Sequence, residues 1–356
     1  MYLFSKRIDW LFLLTPVWTV WVILFCLPEA ILHAEIPIWV WFLLVVGIDV
    51  SHVWSSLFRT YLDPHDRINH QYLLKVLPFL VFFFCFAVSF SSIDFFWRLM
   101  AYLALFHFVK QQFGFMALYA VKNGSRKKHG FQRDKYLIFF AMLYPVLYWH
   151  LHSNLNFSWF VAEDFILNKW IQIPEIVFVL CNLVYWIIIS IWLILKLRLP
   201  RKELLQQFPM ILWILTTAGN WYLGIVYFNS DLAFTATNVV AHGIPYLVLI
   251  IFYKRKKEEL ISQRKRNYSR VIFIVIGLCL LLGITEEYLW DLLVNQDKKE
   301  LYSRFLYYVE WSNESRHFKA FLIGLLSVPQ VTHYILDAYI WKNNDQNPFL
   351  KKVFNE

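Results

Sequence analysis

The chain has 356 residues, of which 59% are hydrophobic and 20% aromatic, while only 17% are charged. A soluble domain carries about 25% charged residues, so this composition excludes an ordinary soluble enzyme and predicts a polytopic membrane protein. The formal net charge is +9, but the basic residues lie in loops beside apolar runs. Such a distribution is typical of the cytoplasmic face of a bilayer and does not indicate a nucleic-acid partner.

Long apolar runs recur from one end of the chain to the other. A membrane-spanning helix needs about 20 predominantly apolar residues, and the sequence contains about ten such runs. They lie at 9–28, 37–58, 76–92, 95–121, 136–153, 174–197, 205–228, 232–253, 271–285 and 320–341. We therefore predict an all-α fold, a polytopic transmembrane helix bundle of about ten helices that forms a single integral membrane domain over 1–356.

The loops between these runs predict the orientation of the chain. Lysine and arginine are concentrated in alternate loops, which lie at 59–75, 122–135, 196–202 and 254–270, and again after the last run. Because basic loops remain on the cytoplasmic side, both ends are predicted to be cytoplasmic, N-in and C-in. We therefore expect an integral, multi-pass membrane protein, which in a bacterial host would lie in the inner or plasma membrane.

Two stretches near the membrane surfaces have more specific interpretations. The segment 286–319 has helical apolar spacing and many aromatic residues, which predicts an interfacial segment on the outer face. Anionic lipids are the partners expected at the basic cytoplasmic loops. Arg59, at the inner end of the second run, is interpreted as an anchor at the membrane surface or as a residue that holds a headgroup or a carboxylate.

Four of the eleven histidines lie deep inside predicted membrane helices, whereas His150 and His152 lie at the outer end of the fifth run. The four are His52, His107, His242 and His333, in the second, fourth, eighth and tenth runs, all of which run from outside to inside in the predicted topology. At about 1.5 Å per residue, the four lie at similar depths, so their imidazoles could converge on one point. Ionisable side chains at membrane depth are costly and mark functional sites.

Each of the four histidines has a polar residue three or four positions away, on the same helical face. The companions are Asp49 for His52, Gln111 for His107, Asn238 for His242 and Asp337 for His333. Metal-bound histidines pass their second ring N–H to a carboxylate or carbonyl oxygen, and this is the role predicted for the four companions. An acid could instead be a ligand itself.

The donor set predicts a metal site but leaves the metal open. Imidazoles and carboxylates without thiolates suit iron, copper or zinc, and His107 with His242 could also be the axial ligands of a haem. Hydrogen bonding between helices, without any metal, is the simpler alternative for each histidine taken alone.

Breaks in the helices are predicted close to the same histidines. HGIP at 242–245 places a glycine and a proline directly after His242, and Pro329 lies four residues before His333. Irregular backbone at membrane depth is tolerated where it lines a cavity. Aromatic residues on these helices, among them Phe108 and Tyr246, could line an apolar path for a lipid-like substrate.

These motifs resemble the bacterial β-carotene 15,15′-dioxygenase family of the Brp/Blh type, polytopic proteins whose intramembrane histidines hold a non-haem iron. The likeness is carried by Asp49 with His52, by His107 in FHFVKQQ and by His242 in AHGIP. The family's His-Gly-Ala-Leu-Asp type motif is not present as such, and His333 with Asp337 has no counterpart. The resemblance implies an Fe(II)- and O2-dependent oxidoreductase that oxidises or cleaves an isoprenoid, such as a carotenoid, or another lipid-like substrate.

A transporter or channel is the alternative from outside enzymology. In that case the intramembrane histidine, aspartate and lysine residues, among them Lys110, would line a path for an ion or a substrate. Membrane desaturases fit less well, because they use clustered histidine boxes and no two histidines here are spaced by four. Metal content separates the enzyme from the transporter.

Overall fold

The computed structural model describes residues 1–127, 130–152, 155–166, 172–263, 268–302 and 315–355. Within these residues the chain is predominantly helical and contains no β-strand. A main helix occurs at each of the ten predicted places. In chain order, α1 to α10 are Lys6–Cys26, Ile38–Arg59, Gln71–Ser91, Ile93–Lys122, Gly130–Leu151, Glu175–Leu197, Arg201–Tyr227, Asp231–Ser262, Tyr268–Trp290 and Arg316–Ile340. The predicted all-α class is confirmed.

Eight of these helices have the length and the apolar composition that crossing a membrane requires. The other two are α4 and α5, whose role as membrane spans stays a prediction, as does the N-in and C-in topology. The least buried of the eight is α6, in which 22% of the most apolar stretch is buried inside the protein. The chain therefore has the build of a multi-pass membrane protein.

The second helix is irregular near its candidate site residues. The stretch Phe42–Val50 forms wide π-helical turns, Ser51–Ser55 is α-helical, and Ser56–Arg59 tightens to a 3-10 turn. Asp49 lies in the π-helical stretch, and His52 follows it by three residues. Such π-helical turns are rare and often accompany functional sites, and the role predicted for this pair stays a prediction.

The predicted break after His242 is not present, because α8 continues through Pro245 to Ser262. Proline has no N–H, so the carbonyl of Ala241, four residues earlier, loses its donor within the helix. The side chain of Gln112 on α4 replaces that donor, with Nε2 donating to Ala241 O at 3.0 Å. Side chains of neighbouring helices can satisfy freed carbonyls in this way, and the helix remains intact.

The end of α9 differs from the prediction that an outer segment begins at 286. The helix extends to Trp290 and continues as the π-helical stretch Asp291–Asn295, so the first residues of 286–319 prolong a membrane helix. A short helical turn follows at Lys299–Tyr302. Residues 303–314 of the predicted segment lie outside the described residues.

The chain divides into two compact units at three places, after residues 36, 103 and 245. The second division falls inside α4 and the third inside α8. The first unit comprises 1–36 and 104–245. Indole N–H groups of α1 hold α7 in this unit, with Trp18 Nε1 donating to Thr216 Oγ1 at 2.9 Å and Trp21 Nε1 donating to Asn220 Oδ1 at 3.1 Å. Such bonds let polar residues of α7 remain buried among apolar helices.

The second unit comprises 37–103 and 246–356. Here α9 packs closely on α2, and the first part of α10 packs closely on α3. Glycines permit both contacts, because a Cβ built at Gly283 would lie 2.6 Å from Ser51 Oγ and one built at Gly324 would lie 2.9 Å from the backbone nitrogen of Phe86. Small residues at helix interfaces are the usual means of close approach in membranes.

Substituting Gly283 with alanine is expected to loosen the contact between α9 and α2. The added Cβ would also lie 3.2 Å from the backbone N and Cα of Ser51, which directly precedes His52. Overpacking of this kind costs about 1–3 kcal/mol of stability, measurable as a lower midpoint of thermal unfolding in detergent. The matched control is Gly277→Ala on the same helix, because no atom lies within 4 Å of a Cβ there. Equal midpoints for the two variants would contradict the expectation.

Candidate metal centre

The structure brings together the four histidines that the sequence singled out. Each of His52, His107, His242 and His333 is at most 5% exposed. One ring nitrogen from each lies within 4.8 Å of the corresponding nitrogen of the other three. The predicted convergence is therefore present, while the role of these histidines as metal ligands stays a prediction.

The spacing of the four nitrogens is close to what a single ion needs. Metal–imidazole bonds are about 2.0–2.1 Å long, so opposite ligands of one ion lie about 4.2 Å apart. The four nitrogens, which lie within 4.8 Å of one another, would have to approach by up to about 0.6 Å around a square-planar ion and by up to about 1.4 Å around a tetrahedral one. The donors are four imidazoles without a thiolate, and this set suits iron, copper or zinc.

His52 and His333 pack against each other in the second unit. Their rings meet edge to face, with centroids 5.2 Å apart, and the ring of Tyr246 packs against both. Asp49 Oδ1 lies 3.7 Å from His52 Nδ1, and Asp337 Oδ1 lies 3.9 Å from His333 Nδ1. Both separations exceed the length of a direct hydrogen bond, so each acid lies beside its histidine within reach of a small movement.

His107 and His242 pack against each other in the first unit. Their ring centroids are 5.0 Å apart, again edge to face. The ring of Phe108 stacks on His242 with a centroid distance of 3.6 Å, and its own edge contacts Trp159. An aromatic ring therefore covers one face of the His242 imidazole and excludes water from it.

The two amide companions bind backbone carbonyls. Gln111 Nε2 donates to the carbonyl oxygen of His242 at 2.8 Å, and Asn238 Nδ2 donates to the carbonyl oxygen of Phe234 at 2.8 Å. In each side chain the NH2 group is thus occupied, and the amide oxygen is the atom that could accept an imidazole N–H. The predicted orienting role of Gln111 and Asn238 stays a prediction, and the structure gives both a backbone-supporting role as well.

Sequence reasoning missed the polar contact of Tyr246. Its hydroxyl donates to Asp337 Oδ1 at 2.5 Å, whereas the sequence had suggested only an aromatic lining for this residue. The available signal was position, since Tyr246 follows His242 by four residues and shares its helical face. A second missed contact joins α2 and α9, where Trp54 Nε1 donates to Glu286 Oε2 at 2.6 Å.

A buried ionic cluster of Arg59, Asp63, Asp66 and Lys257 lies in the second unit. Arg59 forms an ion pair with Asp66, while Lys257 Nζ lies 2.8 Å from Asp63 Oδ1 and 2.9 Å from Asp66 Oδ2. Because Arg59 is 0% exposed, its interpretation as a surface anchor or a headgroup ligand is wrong, and the carboxylate that it holds is that of Asp66. Two acids, Asp63 and Asp66, follow Arg59 within seven residues, and this local group of charges was the signal that could have indicated the pairing.

This ionic cluster fixes the end of α10. Arg59 Nη2 donates to the carbonyl oxygen of Ile340 at 2.6 Å and to Asn347 Oδ1 at 3.0 Å. The guanidinium also lies over the ring of Tyr253, 4.1 Å from its centroid. Arg59 thus connects the last helix of the bundle to α2 and α8, and its Nη2 satisfies the buried oxygens of Ile340 and Asn347.

The ionic cluster also changes the acidity of Asp63, which lies outside the membrane-spanning segments. Burial raises the pKa of Asp63, but the hydrogen bonds from Lys257 and the backbone N–H of Asp66, together with nearby positive charge, outweigh burial and hold the pKa below its ordinary value. Since the folded-state pKa is depressed, the stabilisation by Asp63 is present above the ordinary carboxyl pKa. It is lost as the pH falls through the folded-state value.

No model of a known protein family, no curated protein and no solved structure matches this chain. The four histidines and the residues around them are therefore the features of the molecule that bear on its function.

Proposed function

We propose that the protein is an integral membrane metalloprotein in which His52, His107, His242 and His333 hold one transition-metal ion. The observation that carries the proposal is the approach of one nitrogen from each imidazole to within 4.8 Å of the other three, with all four side chains buried. Metal sites of helical bundles are built in this way, from side chains that project inward from different helices.

Iron(II) is the metal we favour, with copper and zinc as the other candidates. The all-nitrogen donor set admits all three, and the resemblance to Brp/Blh-type oxygenases selects iron. A haem fits less well, because the rings of His107 and His242 meet edge to face at 5.0 Å. That contact leaves no room for a porphyrin ring between the two imidazoles.

The activity that follows from an iron site is O2-dependent oxidation or cleavage of a lipid-like isoprenoid, such as a carotenoid. Bound iron would supply the reactivity toward O2. The chain itself supplies a dry environment, since Phe108 stacks on His242 and Tyr246 packs against His52 and His333. Exclusion of water strengthens electrostatic interactions in a site and suppresses side reactions. A membrane position would give an apolar substrate direct access from the lipid phase.

Transport is a second candidate, favoured by the acids on the membrane helices. Asp49 lies 3.7 Å from His52, and Glu286 is buried and bound to Trp54. Acidic groups at membrane depth are typical of proton and cation paths. In this alternative the four histidines would bind a metal ion in passage.

Elemental analysis of the purified protein tests the proposal. We expect about one equivalent of iron per chain after dialysis against a weak chelator, and O2 consumption that depends on an added isoprenoid lipid. Proteoliposomes separate the two candidates, because a transporter would move radioactive iron across the membrane whereas the enzyme would retain it. Protein that lacks bound metal after supplementation with iron, copper and zinc would overturn the proposal.

A further inference from the structure

We propose that Tyr246 is a positioning residue, whose hydroxyl holds the carboxylate of Asp337 beside His333. The inference rests on the proposed function, because the position of Asp337 matters to the protein only if His333 binds a ligand. Tyr246 thus contributes to the metal centre without being one of the four proposed ligands.

Tyr246 is a buried side chain that contacts both Asp337 and His333. The side chain is 1% exposed, its hydroxyl donates to Asp337 Oδ1 at 2.5 Å, and its ring meets the ring of His333 at a centroid distance of 5.1 Å. Hydrogen bonds from a hydroxyl to a carboxylate are short and about twice as strong as neutral ones. Tyr246 therefore restrains the carboxylate and packs against the imidazole that the carboxylate faces.

The other acid of this unit supplies the contrast. Asp49 Oδ1 lies 3.7 Å from His52 Nδ1, but among the described residues no donor reaches this oxygen. The two acids thus lie at similar distances from their histidines, and only Asp337 has a tyrosine hydroxyl on the oxygen that faces the ring.

That difference assigns different roles to the two acids. A carboxylate that is itself hydrogen-bonded orients a metal-bound histidine by accepting its second ring N–H. An unrestrained carboxylate can instead turn and become a ligand, as in mixed nitrogen and carboxylate sites. Tyr246 holds Asp337 to the orienting role, whereas Asp49 retains both options.

Cobalt(II) binding tests the inference, because the visible absorption of bound Co2+ reports its ligand geometry. We expect Tyr246→Phe to lower the affinity for Co2+ by up to about 10-fold, the lower end of the effect of removing an outer partner of a ligand, because Tyr246 acts through Asp337, and to change the visible spectrum. The matched control is Tyr253→Phe, because Tyr253 is a fully buried tyrosine of the same helix whose hydroxyl has no hydrogen-bond partner among the described residues. This control should leave both affinity and spectrum unchanged.

A second variant separates positioning from a general effect on folding. Asp337→Asn should change the Co2+ spectrum as Tyr246→Phe does, and combining the two substitutions should cost less affinity than the sum of the single effects. Wild-type affinity and spectrum in Tyr246→Phe would overturn the inference alone. If that variant aggregates, a wild-type spectrum and affinity in Asp337→Asn would overturn it equally. Wild-type protein that binds no Co2+ would overturn the proposed function and this inference together.

Discussion

Replacement of any one of the four histidines, His52, His107, His242 or His333, with alanine is expected to remove most of the bound metal. Four-ligand structural zinc sites in small peptides bind with about 10–16 kcal/mol. One ligand of four therefore contributes roughly 2.5–4 kcal/mol, which corresponds to a loss of affinity of roughly 100- to 1,000-fold. The measurement is the metal content of each purified variant after dialysis against the same chelator.

Matched variants show whether such a loss is specific to the centre. His33→Ala removes an exposed histidine of a loop and should retain the wild-type metal content. Asp49→Asn keeps the shape of the Asp49 side chain and should lower the metal affinity by about 10- to 100-fold. This loss is smaller than the one expected when a histidine is replaced. A network held only by hydrogen bonds between helices predicts a different result, namely no metal in the wild-type protein and no ranking among the variants.

The histidines could be found from the sequence because their positions depend on helical geometry alone. Runs of about 20 apolar residues fix each helix within a few residues, and a rise of about 1.5 Å per residue converts position into depth. The four imidazoles were expected to converge for this reason, and one nitrogen from each lies within 4.8 Å of the others. Depth is a property of each helix by itself, so it can be read before the packing is known.

The ionic cluster and Tyr246 could not be found in the same way, because their roles depend on packing between helices that are distant in sequence. Lys257 is 194 residues from Asp63, and Tyr246 is 91 residues from Asp337. A basic residue at the inner end of a helix is ordinarily a cytoplasmic anchor, and this rule gave Arg59 the wrong role. Likewise, the rule that proline breaks a helix wrongly predicted a break at HGIP. The helix continues there because the side-chain amide of Gln112 satisfies the freed carbonyl of Ala241.

The largest effect on stability is expected for Asp66→Ala. Asp66 pairs with both Arg59 and Lys257, and the alanine variant would leave these two buried cations with Asp63 as their remaining acid within the ionic cluster. Breaking a buried ion pair by removing one partner costs about 3–5 kcal/mol, because an uncompensated charge remains in a medium of low polarity. The measurement is the free energy of unfolding in mixed detergent and denaturant, or the midpoint of thermal unfolding.

Two controls identify the buried charge as the cause of that loss. Glu258→Ala removes the partner of Lys254 in a partly exposed pair of similar length, 2.8 Å, and should cost less than about 1 kcal/mol. The double variant Arg59→Met with Asp66→Leu removes both charges of one pair, and replacement of a buried pair by apolar residues is often nearly neutral. It should therefore be more stable than Asp66→Ala, although Arg59 also loses its bonds to Ile340 and Asn347. If the double variant were the less stable of the two, those bonds to the end of α10 would outweigh the unpaired charge, and the main role of Arg59 would be to hold the last helix in place.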